Sequence, residues 1–146
     1  MKATRIRSRL VARDFKGGDK DRDDLFAATP PLEGIRLLLS KAATRPRKKT
    51  NVKNGGRKLM FIDAKKAHLN PKCEEDVYIE LPAEAKGRVN QCGKLNFWLY
   101  GFRPAAQAWE KFYAEKLEVA GFIRGIGCSV VFYNEELDMS YEVPWR

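Results

Sequence analysis

The stretch from Pro104 to Gly121 constrains this chain more than any other part of it. Proline is tolerated in a first helical turn, and glycine is the usual stop. Between them Ala108, Trp109, Phe112, Tyr113, Leu117 and Ala120 recur at helical spacing, so the segment predicts one long amphipathic helix. A second helix is expected over about 31–44. There Ile35, Leu38, Leu39 and Ala42 recur at the same spacing, and Thr29 precedes Pro30 and Pro31 as an N-cap. The other apolar segments are short and bounded by glycine, proline or charge. Lys58–Ile62 reads as a mostly buried strand with Asp63 at its end, followed by a helix start over Ala64–Leu69 that Asn70-Pro71 stops. Asp76–Glu80, Cys92–Leu99, Cys128–Tyr133 and Leu137–Val143 read as further strands. Without a strict βαβ rhythm or an internal repeat, these elements predict an α+β fold: a small antiparallel sheet with two main helices.

The length of 146 residues is room for one domain. With 44% hydrophobic residues a packed core is expected rather than a disordered tail. No apolar run is long enough for a membrane helix, and the first seven residues show no secretory pattern. Cys73, Cys92 and Cys128 are odd in number and far apart, and His68 is the single histidine. That set makes neither a zinc site nor a disulfide framework, so an intracellular setting, cytoplasm or nucleus, is expected.

Charge is unevenly distributed. Residues 1–58 carry 17 basic and 6 acidic side chains, a net of +11, while residues 59–146 carry 11 and 13, a net of −2. Segment 41–58 holds eight basic residues and no acidic one. It reads either as a solvated loop or as a polyanion contact in which Arg45, Arg47, Lys48 and Lys49 meet a nucleic-acid backbone. Arg5, Arg7, Arg9 and Arg13 fall on odd positions, with Ile6, Leu10 and Ala12 on even ones. That alternation predicts a half-buried strand with guanidiniums on one face, suited to phosphate or simply protecting an edge. The adjacent Asp23 and Asp24 lie in a polar turn and read as solvated.

Several segments, in order and spacing, resemble one family. They are RLVAR (9–13), DLFA (24–27), PLEGIRLLL (31–39), IDAKKAHLN (62–70), EEDVYIELP (74–82), LYG (99–101), AW (108–109) and GF (121–122). The chain resembles the N-terminal part of the reverse transcriptase domain of Ty1/copia-type retrotransposons. The resemblance implies a polymerase right hand, with 4–58 and 70–108 in the fingers, 59–69 and 109–133 in an incomplete palm, and 134–146 as a divergent tail. The parent reaction is RNA-directed DNA synthesis, a two-metal nucleotidyl transfer using Mg²⁺ or Mn²⁺. Its partners are an RNA or DNA template-primer and deoxynucleoside triphosphates.

By the same resemblance Asp63 is the first catalytic, metal-binding carboxylate, with the Ala64 carbonyl beside it. Arg7, Arg9 and Arg13 belong to the strand that holds the triphosphate, and Tyr100 and Gly101 to the turn that contacts the nucleotide. His68 stands where the family has an aromatic residue under the incoming sugar. After Gly101 the chain reads Arg103-Pro104-Ala105-Ala106-Gln107-Ala108-Trp109, where the family's usual continuation is Lys-Gln-Ala-Pro-Arg-Ala-Trp. The family also needs two adjacent aspartates soon after Phe132-Tyr133, and no Asp-Asp pair follows residue 24. Asp138 reads as a coincidental surface aspartate. A truncated domain, inactive alone, is therefore expected. The alternatives are a non-catalytic basic nucleic-acid-binding module or a degenerate retroelement remnant.

Overall fold

The computed structural model describes residues 10–14, 31–44, 57–82 and 91–143. They divide into two compact units. One contains 10–14, 66–82 and 91–109, and the other contains 31–44, 57–65 and 110–143.

In the first unit, β1 (Tyr78–Glu80) pairs antiparallel with β2 (Cys92–Lys94), Ile79 opposite Gly93. The expected strands are shorter than their apolar patterns, but the two chains stay side by side beyond the ladder. The Leu95 amide donates to the Val77 carbonyl at 2.9 Å, Cys73 to Asn96 at 3.0 Å and Trp98 to Pro71 at 3.2 Å. Trp98 is buried and meets Phe102 edge-on, with ring centroids 6.1 Å apart. The expected helix start over Ala64–Leu69 is a single 3₁₀ turn, Ala67–Leu69. Lys66 before it is left-handed, at φ 55°. The Asn70 amide donates to the carbonyls of Lys66 and Ala67, which ends the turn.

Helix α2 (Pro104–Val119) forms as expected, contributing Pro104–Trp109 to the first unit and the rest to the second. Its end follows from glycine. Gly121 sits at φ 81°, its amide bonds Glu118 O and the Phe122 amide bonds Leu117 O, both at 2.9 Å. This paired closure satisfies carbonyls that the helix leaves open.

In the second unit, β3 (Ile123–Arg124), β4 (Val131–Asn134) and β5 (Met139–Glu142) form an antiparallel sheet with β4 central. Phe132 and Val130 are fully buried beside Tyr113, Ala114 and Val143. The Tyr113 and Phe132 rings meet edge-on at 6.1 Å, and burial, with Glu110 nearby, pushes the Tyr113 hydroxyl up to about 12. Asn134 is buried and joins helix to hairpin: its amide donates to Ala120 O at 3.4 Å, and its oxygen accepts from the Leu137 amide at 3.0 Å.

Helix α1 (Leu32–Ala43) lies within the expected range, with Pro31 at its N-cap. The expected cap, Thr29, lies outside the described residues. Half of the expected apolar stripe, Leu38 and Ala42, is on the covered face. Gly34 is buried and Leu38, Lys41 and Ala42 are half-buried, whereas Ile35 and Leu39 are 40% and 46% exposed. The glycine faces inward with the Glu142 carboxyl and the Val131 side chain against it, so a side chain there would have to displace the glutamate's carboxyl end.

The strand expected over Lys58–Ile62 does not form. Residues 57–64 are irregular, and Leu59, Met60, Phe61 and Ile62 are 50%, 74%, 90% and 57% exposed. A strand needs an edge that accepts its backbone bonds. Neither sheet takes the segment as a further strand.

Candidate functional site

The first unit brings together three segments singled out in the sequence. Residues 10–14 are irregular rather than a strand and run beside the turn at 100–103. The Ala12 amide donates to the Tyr100 carbonyl at 2.7 Å. Two residues on, the Asp14 Oδ2 accepts from the Arg103 main-chain amide at 3.0 Å, and its Oδ1 lies 3.6 Å from the Arg103 Nε. Arg13, between these two attachments, is exposed.

Gly101 makes this approach possible. Its φ of 94° is left-handed, and a Cβ there would collide with the Ala12 carbonyl and the Val11 side chain. Glycine alone permits both the conformation and the close main-chain contact. Phe102 then bonds back to Leu99 O and Ala105 to Phe102 O, each at 3.3 Å, leading the turn into α2.

His68 packs against this turn, its ring 4.8 Å from that of Tyr100 at an angle of 43°. Burial pushes its imidazole below the ordinary histidine range, so it is neutral at physiological pH. Arg13, His68, Tyr100 and Gly101 thus belong to one neighbourhood built on main-chain bonds. Arg7 and Arg9 lie outside the described residues.

The second unit holds Asp63 and Ala64, both exposed on the irregular 57–64 segment rather than at a strand end. Among the described residues, no group of three or more His, Cys, Asp or Glu side chains is placed to hold a metal ion. Magnesium often takes one or two protein carboxylates with substrate phosphates and water, and Asp63 is the described carboxylate that the family resemblance assigns to it.

Asp138 has a definite role that its sequence position did not reveal. It occupies the β4–β5 turn at φ 48°, and its Oδ2 accepts from the Arg57 Nη2 at 2.7 Å. Lys41 Nζ approaches the other oxygen at 3.8 Å, donates to Ser140 Oγ at 2.7 Å and lies 4.0 Å from the centre of the Tyr133 ring. The Arg57 hydrogen bond holds the Asp138 carboxyl below the ordinary aspartate range, and burial lowers the Lys41 ammonium. Arg57 also donates to the Lys41 carbonyl at 2.9 Å, at the end of α1, where a cation suits the helix dipole. Two of the eight cations in segment 41–58 are therefore spent inside the fold. Arg45, Arg47, Lys48 and Lys49 lie outside the described residues. The signal available in the sequence was the isolation of Asp138 among Leu137, Met139 and Ser140, but no local spacing names partners 81 and 97 residues away.

The chain belongs to the reverse transcriptase (RNA-dependent DNA polymerase) family, whose model matches residues 1–135. It is similar to the retrovirus-related Pol polyprotein from transposon TNT 1-94 of Nicotiana tabacum. The two are 31% identical over 111 residues, covering 74% of this chain and 8% of that protein. No solved structure matches the chain. Among the described residues no helix is long and apolar enough to cross a membrane.

Proposed function

We propose that this chain is the nucleotide- and template-facing part of a retrotransposon reverse transcriptase domain, with an α+β right-hand architecture of fingers and incomplete palm. Its parent reaction is RNA-directed DNA synthesis by two-metal nucleotidyl transfer. On its own, the chain binds template-primer and does not extend it. The observation that supports the binding reading is the pair of attachments, Ala12 to Tyr100 and Asp14 to Arg103, that fixes the segment carrying Arg13 against the Gly101 turn. The +11 balance of residues 1–58 supports the same reading. The second half rests on Asp63, an exposed carboxylate in a chain with no Asp-Asp pair after residue 24.

Filter binding of an RNA–DNA template-primer at increasing salt tests the binding half. A log–log slope of about −3 or steeper, equivalent to about four phosphate contacts, supports it. Absence of retention, or a slope near zero, contradicts it.

A degenerate remnant is the second reading, and the exposed Leu59–Ile62 run favours it. A broad, non-cooperative thermal melt supports the remnant, and a single sharp transition supports the first reading.

A further inference from the structure

We propose that residues 58–63 are a self-association surface: two copies of this chain pair through them as antiparallel strands, centred between Met60 and Phe61. The proposal goes beyond the functional reading above and does not rest on it.

Three observations meet on this segment. Its apolar side chains are uncovered, Leu59, Met60, Phe61 and Ile62 being 50%, 74%, 90% and 57% exposed. Its main chain is open as well, since among the described residues no main-chain hydrogen bond joins 59–63 to another residue. Its ends are charged, with Lys58 before the run and Asp63 after it, both exposed and without an ion pair among the described residues. An exposed apolar run with open amides and carbonyls is a template for adding a strand.

The order of the residues names the occupant. In an antiparallel pair of identical strands with this centre, Met60 faces Phe61 of the second copy, Leu59 faces Ile62 and Lys58 faces Asp63. Two-fold symmetry repeats each contact, so the apolar pairs in the middle are closed at both ends by opposite charges. A parallel pairing in register instead sets lysine beside lysine and aspartate beside aspartate. Sliding the antiparallel register by two residues puts Lys58 opposite Phe61, or Asp63 opposite Met60. The charges therefore select one arrangement of two copies.

The area suits a weak, reversible dimer. The four apolar residues offer about 500 Å², the size of the largest apolar patch on a typical monomer. Two copies bring about 1,000 Å² to the contact, the lower bound for a specific interface. A second copy also supplies the ladder that neither sheet of the chain itself gives this run.

The experiment is sedimentation velocity on the full 146-residue chain and its variants, over about 1–100 μM, where weak interfaces dissociate. Circular dichroism confirms that each variant is folded. Expected is a reversible monomer–dimer equilibrium in the parent. Phe61→Lys and Lys58→Asp each weaken it about tenfold, and Lys58→Asp combined with Asp63→Lys restores it, because the swap rebuilds both end pairs. A parent that stays monomeric throughout, whether the run serves another partner or none, overturns the proposal. Species that grow beyond the dimer with concentration show unspecific association and overturn it too. A double variant as weak as Lys58→Asp alone overturns the antiparallel register. If a variant does not fold, hydrogen exchange of the parent decides: amides within 59–63 are expected to exchange more slowly as concentration rises, and exchange independent of concentration overturns the pairing.

Discussion

Asp138 and Arg57 are joined at 2.7 Å across 81 residues of sequence, and the same guanidinium closes the end of α1 on the Lys41 carbonyl. A carboxylate that reads as incidental is the point where the β4–β5 hairpin, the end of a helix and the return from a basic segment are tied. The pairing also says what Asp138 is not. Engaged by Arg57 and Lys41, it is no stand-in for a missing metal ligand.

This tie predicts a pH dependence. The folded-state pKa of Asp138 lies below its unfolded value, chiefly through the Arg57 hydrogen bond. Its contribution to stability is therefore present above the ordinary aspartate pKa and is lost as pH falls through the depressed folded value. Asp138→Asn retains a residue that tolerates the left-handed turn but loses the charge. It is expected to melt below the parent at neutral pH, with the gap closing on acidification beneath the ordinary carboxylate range. Thermal melts at a series of pH values check this, and a gap that persists at the acid end contradicts it.

Glu142 predicts the opposite sign. Burial raises its carboxyl, and its Oε1 is enclosed against Gly34 without a hydrogen-bond partner among the described residues. A folded pKa above the unfolded value means that this group favours the fold below its unfolded pKa and opposes it as pH rises through the folded one. Glu142→Gln is expected to raise the melting temperature at neutral pH and to leave it unchanged well below pH 4. A lower melting temperature at neutral pH contradicts the account.

Gly101 is the most position-specific residue of the site. In Gly101→Ala, a left-handed conformation costs about 1–2 kcal/mol, and the new methyl meets the Ala12 carbonyl. The expected outcome is release of residues 10–14 from the turn. Hydrogen exchange at the Ala12 amide should rise to the rate of an open chain while the Phe132 amide in β4 stays protected. Unchanged protection at Ala12 contradicts the role of the glycine.

What the sequence made legible depended on how local each cause is. The Pro104–Gly121 helix is written in its own residues, and its left-handed closing glycine appears where the spacing puts it. The β4–β5 hairpin follows from β-prone segments on either side of a polar turn. The Lys58–Ile62 strand did not form because an apolar run specifies burial and not a partner, and no described strand pairs with it. The covered face of α1 was legible at Leu38 and Ala42 but not at its centre, because the buried Gly34 carries no hydropathy signal. The turn at Tyr100-Gly101 was named through the family resemblance, and the positive φ of Gly101 shows why a glycine stands there. The clasp by Asp14 was not legible, since its partner Arg103 is 89 residues away.

Engagement of template-primer without extension is the proposal on which the functional reading turns. The most direct measurement is a primer-extension assay on an RNA template with magnesium or manganese, run on the parent chain and Asp63→Ala under conditions where filter binding shows the template-primer retained. Retention by both proteins is expected, with no template-dependent nucleotide incorporation by the parent above the Asp63→Ala level. Template-dependent incorporation by the parent that Asp63→Ala abolishes would contradict it.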